Sequence, residues 1–441
     1  MTKVGFVSLG CSKNAVDTEV MLHHLASAGY EITPEAEEAD VIVVNTCGFI
    51  ESAKSESIEN ILDLVWLKNN GKLRGIVCAG CLAERYREEI LKEMPEVDAL
   101  IGVGSLDAVT DAVRAAEKGE KFTAFADKNK APLGGDRILT TPEYTAYLKI
   151  AEGCDNKCTY CAIPSIRGAL RSRPIEDVVK EAKELESLGV KELNLIAQDT
   201  TRYGLDLYGE YRLADLVRAI TAETSIPWIR LLYCYPDKIT DALIAELRDN
   251  ERLLPYMDIP IQHIADSVLN AMNRHGNRAT IENAIRRLRE NVPNITLRTT
   301  AMVGFPGESE ENFAELCAFV KETRFDRFGA FTFSPEEGTP AADLPNQIDE
   351  EIKAARYDAL MEIQLDISAE LQQEKVGKTL RVLCEGFDPV AETFFGRSAA
   401  DAPDVDGKIY FSSPVAVAEG SFVNVTITEA LDYDLVGAIA E

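Results

Sequence analysis

The chain lacks two features that would favour a membrane or a nucleic acid as its partner: a long apolar run and an excess of positive charge. None of its apolar stretches approaches the length of a membrane span, and the first residues lead directly into a strand pattern with no signal peptide. Its 46 Lys and Arg stand against 74 Asp and Glu, a net charge of −28. Such a field repels the phosphates of nucleic acids and attracts basic partners. We therefore expect a cytoplasmic protein that has no membrane partner and does not act directly on a nucleic acid.

Histidine is scarce as well, with four residues in 441, whereas cysteine occurs ten times. Ten cysteines in so large a chain, several of them in glycine-rich turns, indicate metal ligands kept reduced and not a disulfide framework. With 46% hydrophobic and 27% charged residues, the chain has the composition of an ordinary soluble protein of two or three domains.

The most informative stretch runs from Gly153 to Arg173 and contains Cys154, Cys158 and Cys161 in the spacing C-x3-C-x2-C. Three thiolates leave one coordination position open, which catalytic metal centres need and structural zinc sites avoid. No fourth cysteine follows until Cys234, so a four-iron four-sulfur (4Fe-4S) cluster held here would keep one iron free. A zinc knuckle or a disulfide pair is the alternative, and the lack of a nearby histidine counts against the zinc site.

This triplet, with the aromatic Tyr160 directly before its last cysteine, resembles the radical S-adenosylmethionine superfamily. The resemblance implies that the free iron chelates the methionine moiety of S-adenosylmethionine, with Tyr160 as a cofactor-binding residue. One electron would then cleave the sulfonium, and the 5'-deoxyadenosyl radical would abstract hydrogen from an unactivated C–H bond. Cys154, Cys158 and Cys161 are accordingly the predicted catalytic residues.

Strand and helix patterns alternate over residues 1–120, which predicts an α/β domain with a doubly wound parallel sheet. Three of its strands end in a cysteine: Cys11, Cys47 and Cys81. Because the carboxyl ends of parallel strands share one edge, these side chains should converge and hold a second metal cluster. Two alternatives stay open: cysteines that only pack at strand ends, and a redox pair of Cys78 with Cys81. Cys81 is the preferred ligand because it follows the glycine at the strand end, whereas Cys78 lies inside the strand.

The rest of the chain is predicted to hold two more domains. Residues 121–141 lose periodicity and are the expected linker. Residues 142–373 contain six strand–helix units and a long final helix, which predict a partial (β/α)6 barrel similar to a TIM barrel, with its chemistry at the carboxyl ends of the strands. Residues 374–441 contain five short strand patterns, which predict a small antiparallel β-barrel. From residue 376 on, four basic residues stand against eleven acidic ones, a net charge of −7 that is the wrong sign for RNA binding.

Several stretches of the chain carry a wider resemblance. They are Val44–Cys47, Ala79–Arg85, Ile163–Gly168, Pro260–His263 and Val303–Glu308. With both cysteine triplets and a last domain similar to a TRAM barrel, the whole chain resembles the methylthiotransferase family of radical S-adenosylmethionine enzymes. Gln198–Gly204 and Gly396–Gly407 are similar to the branch of that family that modifies a ribosomal protein.

The resemblance implies a transferase that places a methylthio group on the β-carbon of one aspartate of ribosomal protein S-twelve. One S-adenosylmethionine would donate a methyl group to sulfur carried by a 4Fe-4S cluster at Cys11, Cys47 and Cys81. A second would be cleaved at the 4Fe-4S cluster of the other triplet. We expect a monomer that receives electrons from a donor such as flavodoxin or ferredoxin. The rivals are a tRNA adenosine methylthiotransferase, against which the acidic last domain counts, and a non-catalytic zinc-binding scaffold.

Three further cofactor-binding residues follow from the same resemblance. Gln198 occupies the position of a cofactor contact at the second barrel strand, although its surroundings depart from the usual Gly-Gly-Glu. Gly304 and Glu308 resemble the turn that holds the adenine of the cofactor. The alternative for these two is a plain strand-to-helix turn with Glu308 near the helix start.

Three arginines and one histidine each have two possible roles. Arg167, also a predicted cofactor-binding residue, could meet a carboxylate of cofactor or substrate, as could Arg171 and Arg173. The alternative for all three is a solvated loop charge. His263 is either a site residue or a satisfied core histidine.

An acidic loop in the last domain gives one more hypothesis. It contains Asp401, Asp404 and Asp406. We expect these carboxylates to steer a basic ribosomal protein towards the radical site. The alternative is a surface that only keeps the protein soluble.

Overall fold

The first domain is a six-stranded sheet in the computed structural model, which describes residues 1–440. All neighbouring strands run parallel, in the order β2-β1-β3-β4-β5-β6. The strands are β1 Lys3–Ser8, β2 Glu31–Thr33, β3 Val41–Thr46, β4 Gly75–Gly80, β5 Ala99–Ile101 and β6 Phe122–Ala124. The helices are α1 Ser12–Ser27, α2 Glu51–Asn70, α3 Cys81–Tyr86, α4 Glu88–Glu93 and α5 Val109–Glu117. The central strands β3 and β4 are buried along their whole length, so their carboxyl ends form one interior edge.

This sheet confirms the predicted parallel architecture but differs from the expectation at its margins. Strands β2 and β6 have only three residues each, too few to show a periodic pattern. Strand β6 pairs with β5 inside the predicted linker, so the sheet continues beyond the predicted boundary at residue 120. Helices α3 and α4 follow each other directly and are separated only by Arg87, whose φ is 40°.

The second domain is an open, six-stranded parallel barrel in the order β14-β13-β12-β11-β10-β7. The strands of the barrel are β7 Thr145–Lys149, β10 Glu192–Ile196, β11 Trp228–Leu231, β12 Leu253–Asp258, β13 Thr296–Val303 and β14 Arg327–Thr332. A separate, short antiparallel pair consists of β8 Ala151–Glu152 and β9 Arg171–Ser172. Its helices are α6 Ile163–Arg167, α7 Ile175–Ser187, α8 Leu205–Tyr208, α9 Leu213–Glu223, α10 Asp241–Asp249, α11 Asp266–Ala271, α12 Arg278–Asn291, α13 Glu310–Thr323 and α14 Glu350–Gln373. The apolar core lies between the strands and the outer helices, as the alternating pattern predicts. Three short helices, α6, α8 and α11, have no counterpart in the sequence-based prediction.

The third domain is a closed five-stranded barrel in the order β15-β16-β17-β19-β18. Its strands are β15 Thr379–Asp388, β16 Thr393–Ser398, β17 Ile409–Ser412, β18 Phe422–Ala430 and β19 Leu435–Ile439. The barrel was expected to be antiparallel, and every pair is antiparallel except β17 with β19, which closes the barrel in parallel. Among residues 1–440, no helix is both long enough and apolar enough to cross a membrane.

Buried ion pairs attach the third domain to the second. Glu192 of β10 is fully buried, and its carboxylate accepts hydrogen bonds from Arg397 at 2.5 Å and from Arg230 at 3.0 Å. Burial alone would raise the pKa of Glu192, but Arg397 and Arg230 outweigh it and hold the pKa below its usual value. A carboxylate between two guanidinium groups is thus the centre of this domain contact.

The hypothesis of a steering loop at Asp401, Asp404 and Asp406 is wrong for two of its three members. Asp401 is buried and accepts a hydrogen bond from Arg327 of the second domain. Asp406 accepts a hydrogen bond from the Tyr256 hydroxyl at 2.6 Å. These carboxylates cannot steer a partner, because they are already paired inside the contact between the domains. Only Asp404 is exposed.

We predict that Glu192→Gln destabilises the protein by about 3–5 kcal/mol at neutral pH, because it leaves two buried guanidinium groups without a counter-charge. The contribution of an ionised Glu192 is complete above its ordinary pKa of 4.5 and is lost as the pH falls through the lower pKa of the folded state. The difference in free energy of unfolding between wild type and variant should therefore shrink below about pH 4.5. Denaturant titrations at pH 7 and pH 4 measure it.

The matched control is Glu223→Gln, since Glu223 forms an exposed ion pair with Lys183. We expect no measurable change for this variant. Equal effects of both substitutions would contradict the structural role of Glu192.

Candidate active site

The cysteines of the first domain meet at the carboxyl edge of its sheet. Cys11 follows β1, Cys47 follows β3 and Cys81 follows β4. Gly10 has a φ of 89°, and a Cβ built on it would lie 2.7 Å from the Cβ of Cys47, so only glycine allows these two loops to approach. Burial raises the pKa of the Cys81 thiol to about 12, against the lowering effect of Arg167, and the nearby Cys11 and Cys47 raise it further. The structure thus brings all three predicted residues together.

Cys78 lies elsewhere. Its side chain is completely buried in the middle of β4 and packs among apolar residues such as Ile76 and Leu100. Burial raises the pKa of its thiol to about 12, and the next largest influence is Asp98. The geometry therefore favours Cys81 as the third member of the triplet.

The cysteines of the second domain lie in the loop between β8 and α6. The Cys161 amide donates a hydrogen bond to the Cys158 carbonyl at 3.1 Å, which curls the loop on itself. Burial raises the pKa of Cys154 to about 11 and that of Cys161 to about 12, and Cys158 adds to both. The hydroxyl of Tyr235 lies 3.5 Å from the Cys158 sulfur. The loop thus holds three thiols at one place, as its spacing predicts.

Each triplet offers three thiols, which is the donor set of a 4Fe-4S cluster with one iron left open. A cubane binds each thiolate through a different iron, so its ligands stand farther apart than those of a zinc ion. The raised pKa values of Cys47, Cys81, Cys154 and Cys161 mean that these four thiols stay protonated until a metal displaces the proton.

A cavity of about 460 Å³ lies between the first and second domains. Its wall includes Phe49, two residues after Cys47, and Tyr160, directly before Cys161. Strands β13 and β14 and the segment after them complete it with Gln262, Met302, Phe333 and Glu336, among others. The wall of the cavity therefore contains a residue adjacent, or nearly adjacent, in sequence to a cysteine of each triplet.

A cross-domain ion cluster borders this cavity. Glu336, which is buried, accepts a hydrogen bond from Arg85 at 3.0 Å and pairs with Lys54 at 3.2 Å. Burial alone would raise the pKa of Glu336, but Ser334, Arg85 and Lys54 lower it overall. No local pattern in the sequence predicts this cluster, because its members belong to different domains.

The predicted cofactor-binding residues have different surroundings. Tyr160 faces the cavity, and its hydroxyl accepts a hydrogen bond from Arg274 at 2.8 Å. Gln198 donates a hydrogen bond to Glu152. For both residues, contact with S-adenosylmethionine stays a prediction.

The turn at Gly304 and Glu308 is explained by contacts within the protein. The Glu308 carboxylate accepts hydrogen bonds from the Gly304 amide at 2.7 Å and from Arg356 at 3.0 Å. Gly304 has a φ of 72°, and a Cβ there would clash with the Lys353 side chain. These contacts match the plain-turn alternative, and the adenine contact stays a prediction.

Arg167 is not a solvated loop charge. Its guanidinium is buried, donates to Asp17 at 2.5 Å and to Asn14, and lies 3.2 Å from the Cys81 sulfur. Lys149 pairs with Asp17 at 2.6 Å and with Glu152 at 2.8 Å. Sequence reasoning missed this group, although Asn14 and Asp17 follow Cys11 by three and six residues on one face of α1.

The other basic loop residues also contact groups of the protein. Arg173 is buried and binds Asp177 at 2.7 Å and Glu181 at 2.5 Å. Arg171 donates to the Ala131 carbonyl at 2.6 Å. Arg173 is therefore not free to receive a carboxylate from substrate or cofactor. Arg171 has no ion pair, and its buried Nε has no hydrogen-bond partner within residues 1–440, so its role stays a prediction.

His263 fits the alternative of a satisfied core histidine only in part, because its Nε2 has no hydrogen-bond partner within residues 1–440. It is fully buried, and its Nδ1 accepts a hydrogen bond from the Ala265 amide at 3.0 Å. Burial, with a smaller contribution from Arg356, lowers the pKa of His263 to about 3. The imidazole is therefore neutral and has a local structural partner.

Three protein-family models match the chain. They are described as Uncharacterized protein family UPF0004 over residues 3–102, Radical SAM superfamily over residues 148–320 and TRAM domain over residues 376–440. The matches follow the three domains of the structure.

Known proteins named ribosomal protein uS12 methylthiotransferase RimO match from end to end. The protein of Thermoanaerobacter sp. (strain X514) is 49% identical over 99% of this chain and 100% of its own length. The protein of Desulforamulus reducens is 47% identical over 100% of both chains. The protein of Clostridium tetani is 48% identical over 100% of this chain and 99% of its own length.

Solved structures share the fold at low identity. TsrM from Kitasatospora setae, a radical S-adenosylmethionine methyltransferase, superposes with a TM-score of 0.57 at 14% identity, over 86% of this chain and 81% of its own. The cobalamin-dependent S-adenosylmethionine radical enzyme OxsB gives a TM-score of 0.51 at 14% identity, over 83% of this chain and 56% of its own. At this level of identity the likeness concerns the fold alone.

We predict that anaerobically reconstituted protein binds about eight irons, four at each triplet. Cys81→Ala should lose about half of them, because two thiolates hold a cubane poorly. Cys78→Ala is the matched control and should keep the full iron content. Iron analysis with electron paramagnetic resonance measures both. Full iron in the Cys81 variant and loss in the Cys78 variant would show that the other cysteine is the ligand.

Proposed function

The chain belongs to the family of ribosomal protein uS12 methylthiotransferases named RimO, and we propose that its two cysteine triplets serve one reaction on an aspartate of uS12. The enzyme is a transferase of the radical S-adenosylmethionine type. The proposed reaction replaces a hydrogen on the β-carbon of that aspartate with a methylthio group. The observation that supports it is the cavity between the domains, because Phe49 and Tyr160 in its wall lie close to a cysteine of each triplet.

The cofactors are two 4Fe-4S clusters and S-adenosylmethionine. The proposed ligands are Cys154, Cys158 and Cys161 for the first cluster, and Cys11, Cys47 and Cys81 for the second. When bound, the clusters supply the electron that cleaves one S-adenosylmethionine to a radical and the sulfur that takes a methyl group from another. The protein itself holds the two cluster sites and the substrate in fixed positions relative to one another and excludes water.

Aromatic side chains shield the radical triplet. Arg274 stacks on the ring of Tyr235, with its guanidinium carbon 4.2 Å from the ring centroid, and donates to the Tyr160 hydroxyl. Tyr235 in turn contacts Cys158. These residues form a wall around the loop that limits the access of solvent to the site.

Arg167 lies next to a cysteine sulfur of the second triplet, as Tyr235 lies next to one of the radical triplet. Its guanidinium can donate a hydrogen bond to the Cys81 sulfur, and a thiolate accepts such a bond more strongly than a thiol. Because α6 begins two residues after Cys161, the same helix connects the radical loop to the sulfur-carrying site. We infer that Arg167 is a positioning residue for the second cluster and not a contact of S-adenosylmethionine.

The charge of the chain supports the proposed protein substrate. A net charge of −28 favours a basic protein substrate such as a ribosomal protein. We propose that the enzyme works in the cytoplasm as a monomer and receives its electrons from flavodoxin or ferredoxin.

The similarity to known proteins favours the proposed function over its two rivals. Relatives that match over the full length carry the name of a uS12 methylthiotransferase, which favours the protein substrate over a tRNA adenosine. The match to the radical S-adenosylmethionine superfamily favours an enzyme over a non-catalytic zinc scaffold.

We predict that the two triplets can be separated by their products. Replacing Cys11, Cys47 and Cys81 together with alanine should abolish methylthiolation of uS12 while 5'-deoxyadenosine still forms, because the radical triplet is intact. Replacing Cys154, Cys158 and Cys161 should abolish both products. Mass spectrometry of uS12 and chromatography of the nucleoside, under anaerobic reducing conditions, measure them.

The same assay with tRNA in place of uS12 is the control for substrate class. Wild-type enzyme that modified tRNA and left uS12 unchanged would overturn the assignment. Loss of 5'-deoxyadenosine in the first triple variant would contradict the division of roles between the triplets.

A further inference from the structure

Helix α2 of the first domain carries an apolar stripe on its outer face. Ile58, Leu62 and Trp66 follow one another at intervals of four residues, so their side chains form one row along the helix. Their exposed fractions are 40%, 51% and 65%. A different face of the helix, with the buried Ile61 and Leu64, packs against the sheet. The helix is therefore held in the domain without the stripe.

A groove beside the stripe extends the apolar surface. It has a volume of about 280 Å³, lies between α2 and the helices α3 and α4, and is lined by Ile58, Leu82, Tyr86 and Met94, among others. Single exposed apolar side chains are ordinary on a protein surface, but a row that continues into a groove is a contiguous patch. Such patches mark contacts with other proteins, and an accessible tryptophan such as Trp66 is a frequent anchor of these contacts.

Carboxylates border this patch on both sides. Glu59 and Asp63 are exposed on α2, each one position after a residue of the stripe, and Glu89 and Glu93 of α4 line the groove. Within residues 1–440, Glu59, Asp63 and Glu89 form no ion pair, and the carboxylate of Glu93 lies 3.5 Å from the ammonium of Lys92. The patch thus has an acidic rim that is largely unneutralised.

The two lysines of α2 do not neutralise this rim, because both are already paired. Lys54 pairs with Glu51 at 2.6 Å and with Glu336 at 3.2 Å, and Lys68 pairs with Asp98 at 2.6 Å. The patch therefore presents apolar surface in a field of predominantly negative sign. A partner that combines apolar side chains with positive charge is complementary to it.

The stripe leads away from the mouth of the cavity between the domains. Ile50, which precedes α2 and is 38% exposed, and Glu51 both belong to the wall of that cavity. With a rise of about 1.5 Å per residue, Ile58 lies about 12 Å and Trp66 about 24 Å from Ile50 along the helix axis. A protein with one side chain inside the cavity can therefore place an adjacent part of its surface on the stripe.

We propose that this patch, formed by Ile58, Leu62, Trp66 and the groove beside them, docks a basic surface of uS12 that contains apolar side chains, an inference that rests on the proposed function. The acidic rim favours the encounter with a basic protein, and the apolar row supplies the short-range contact that holds it. The docking site is separate from the cavity in which the aspartate reacts, so it recognises the protein and not the modified side chain.

A second copy of this chain is the other occupant to consider. In a two-fold symmetric dimer the same patch meets itself, which would bring two acidic rims together. Like charges in such a contact oppose association. The charge distribution therefore favours a basic protein over self-association.

The test removes the stripe and measures binding of uS12 to the reconstituted holoenzyme. Leu62→Gln/Trp66→Gln replaces two exposed side chains and leaves the core intact. Its affinity for uS12, measured anaerobically without reductant so that no turnover occurs, should be about 10- to 100-fold lower than that of wild type. In the full reaction, KM for uS12 should rise by a similar factor with little change in kcat, because cavity and cysteine triplets are unaltered.

Three controls make this result specific. Leu188→Gln removes a leucine that is 58% exposed on the second domain and should keep the wild-type affinity. A short peptide that contains the target aspartate but cannot reach the stripe should be modified equally well by wild type and by the double variant. Iron content, and 5'-deoxyadenosine formation without uS12, should also equal the wild-type values in the double variant.

The acidic rim is tested by its effect on the rate of association. Glu59→Gln/Asp63→Asn should slow the association with uS12 several-fold at low salt, and the difference should shrink as the salt concentration rises. The matched control is Glu322→Gln/Glu362→Gln, which removes two exposed carboxylates of α13 and α14 and should have a clearly smaller effect.

Several outcomes would overturn the inference while leaving the proposed function intact. One is a wild-type enzyme that methylthiolates uS12 together with a Leu62→Gln/Trp66→Gln variant that binds uS12 equally well. Another is a wild-type dimer that the same variant converts to a monomer without a change in uS12 affinity, which would assign the patch to self-association. A variant that binds uS12 normally but is no longer reduced by flavodoxin or ferredoxin would assign it to the electron donor. Absence of any methylthiolation of uS12 by wild-type enzyme would instead refute the proposed function.

Discussion

The contact of Arg167 with Cys81 joins the two halves of the active site. Arg167 belongs to a helix that follows the radical triplet, and its guanidinium reaches the sulfur of the other triplet at 3.2 Å. Two cations, Arg167 and Lys149, and two anions, Asp17 and Glu152, form the buried group around it. Burial alone would raise the pKa of Glu152, but Lys149 and Arg167 outweigh it and hold the pKa well below normal. Glu152 is therefore held as a carboxylate, and the group pairs two basic residues with two acidic ones.

Such a network contributes more to geometry than to stability. Taking four charges out of water is costly, and the attraction between them offsets this cost only while every partner stays in place. A shift of the first domain relative to the second would leave charges unpaired. The arrangement of the two domains, and with it the separation of the two triplets, is thus fixed by a requirement for charge balance.

The positions of the cysteines could be predicted from sequence because local rules determine them. A C-x3-C-x2-C loop brings its thiols together without help, and the carboxyl ends of parallel strands share one edge, so Cys11, Cys47 and Cys81 converge. The partners of Asp17, Asp401 and Glu336 could not be predicted, since each lies in another domain and no periodic pattern encodes how domains dock.

The negative charge of the chain acts on the substrate at long range. The barrel's net charge of −7 overstates its outward field, because Asp401 is paired with an arginine of the second domain and Asp406 has a side chain that is 3% exposed and lies beside a tyrosine hydroxyl. The excess of acidic residues over the whole chain still attracts a basic protein, but salt screens exposed charges beyond about 8 Å. This attraction can therefore speed the encounter with a basic protein, but it cannot select one side chain within that protein.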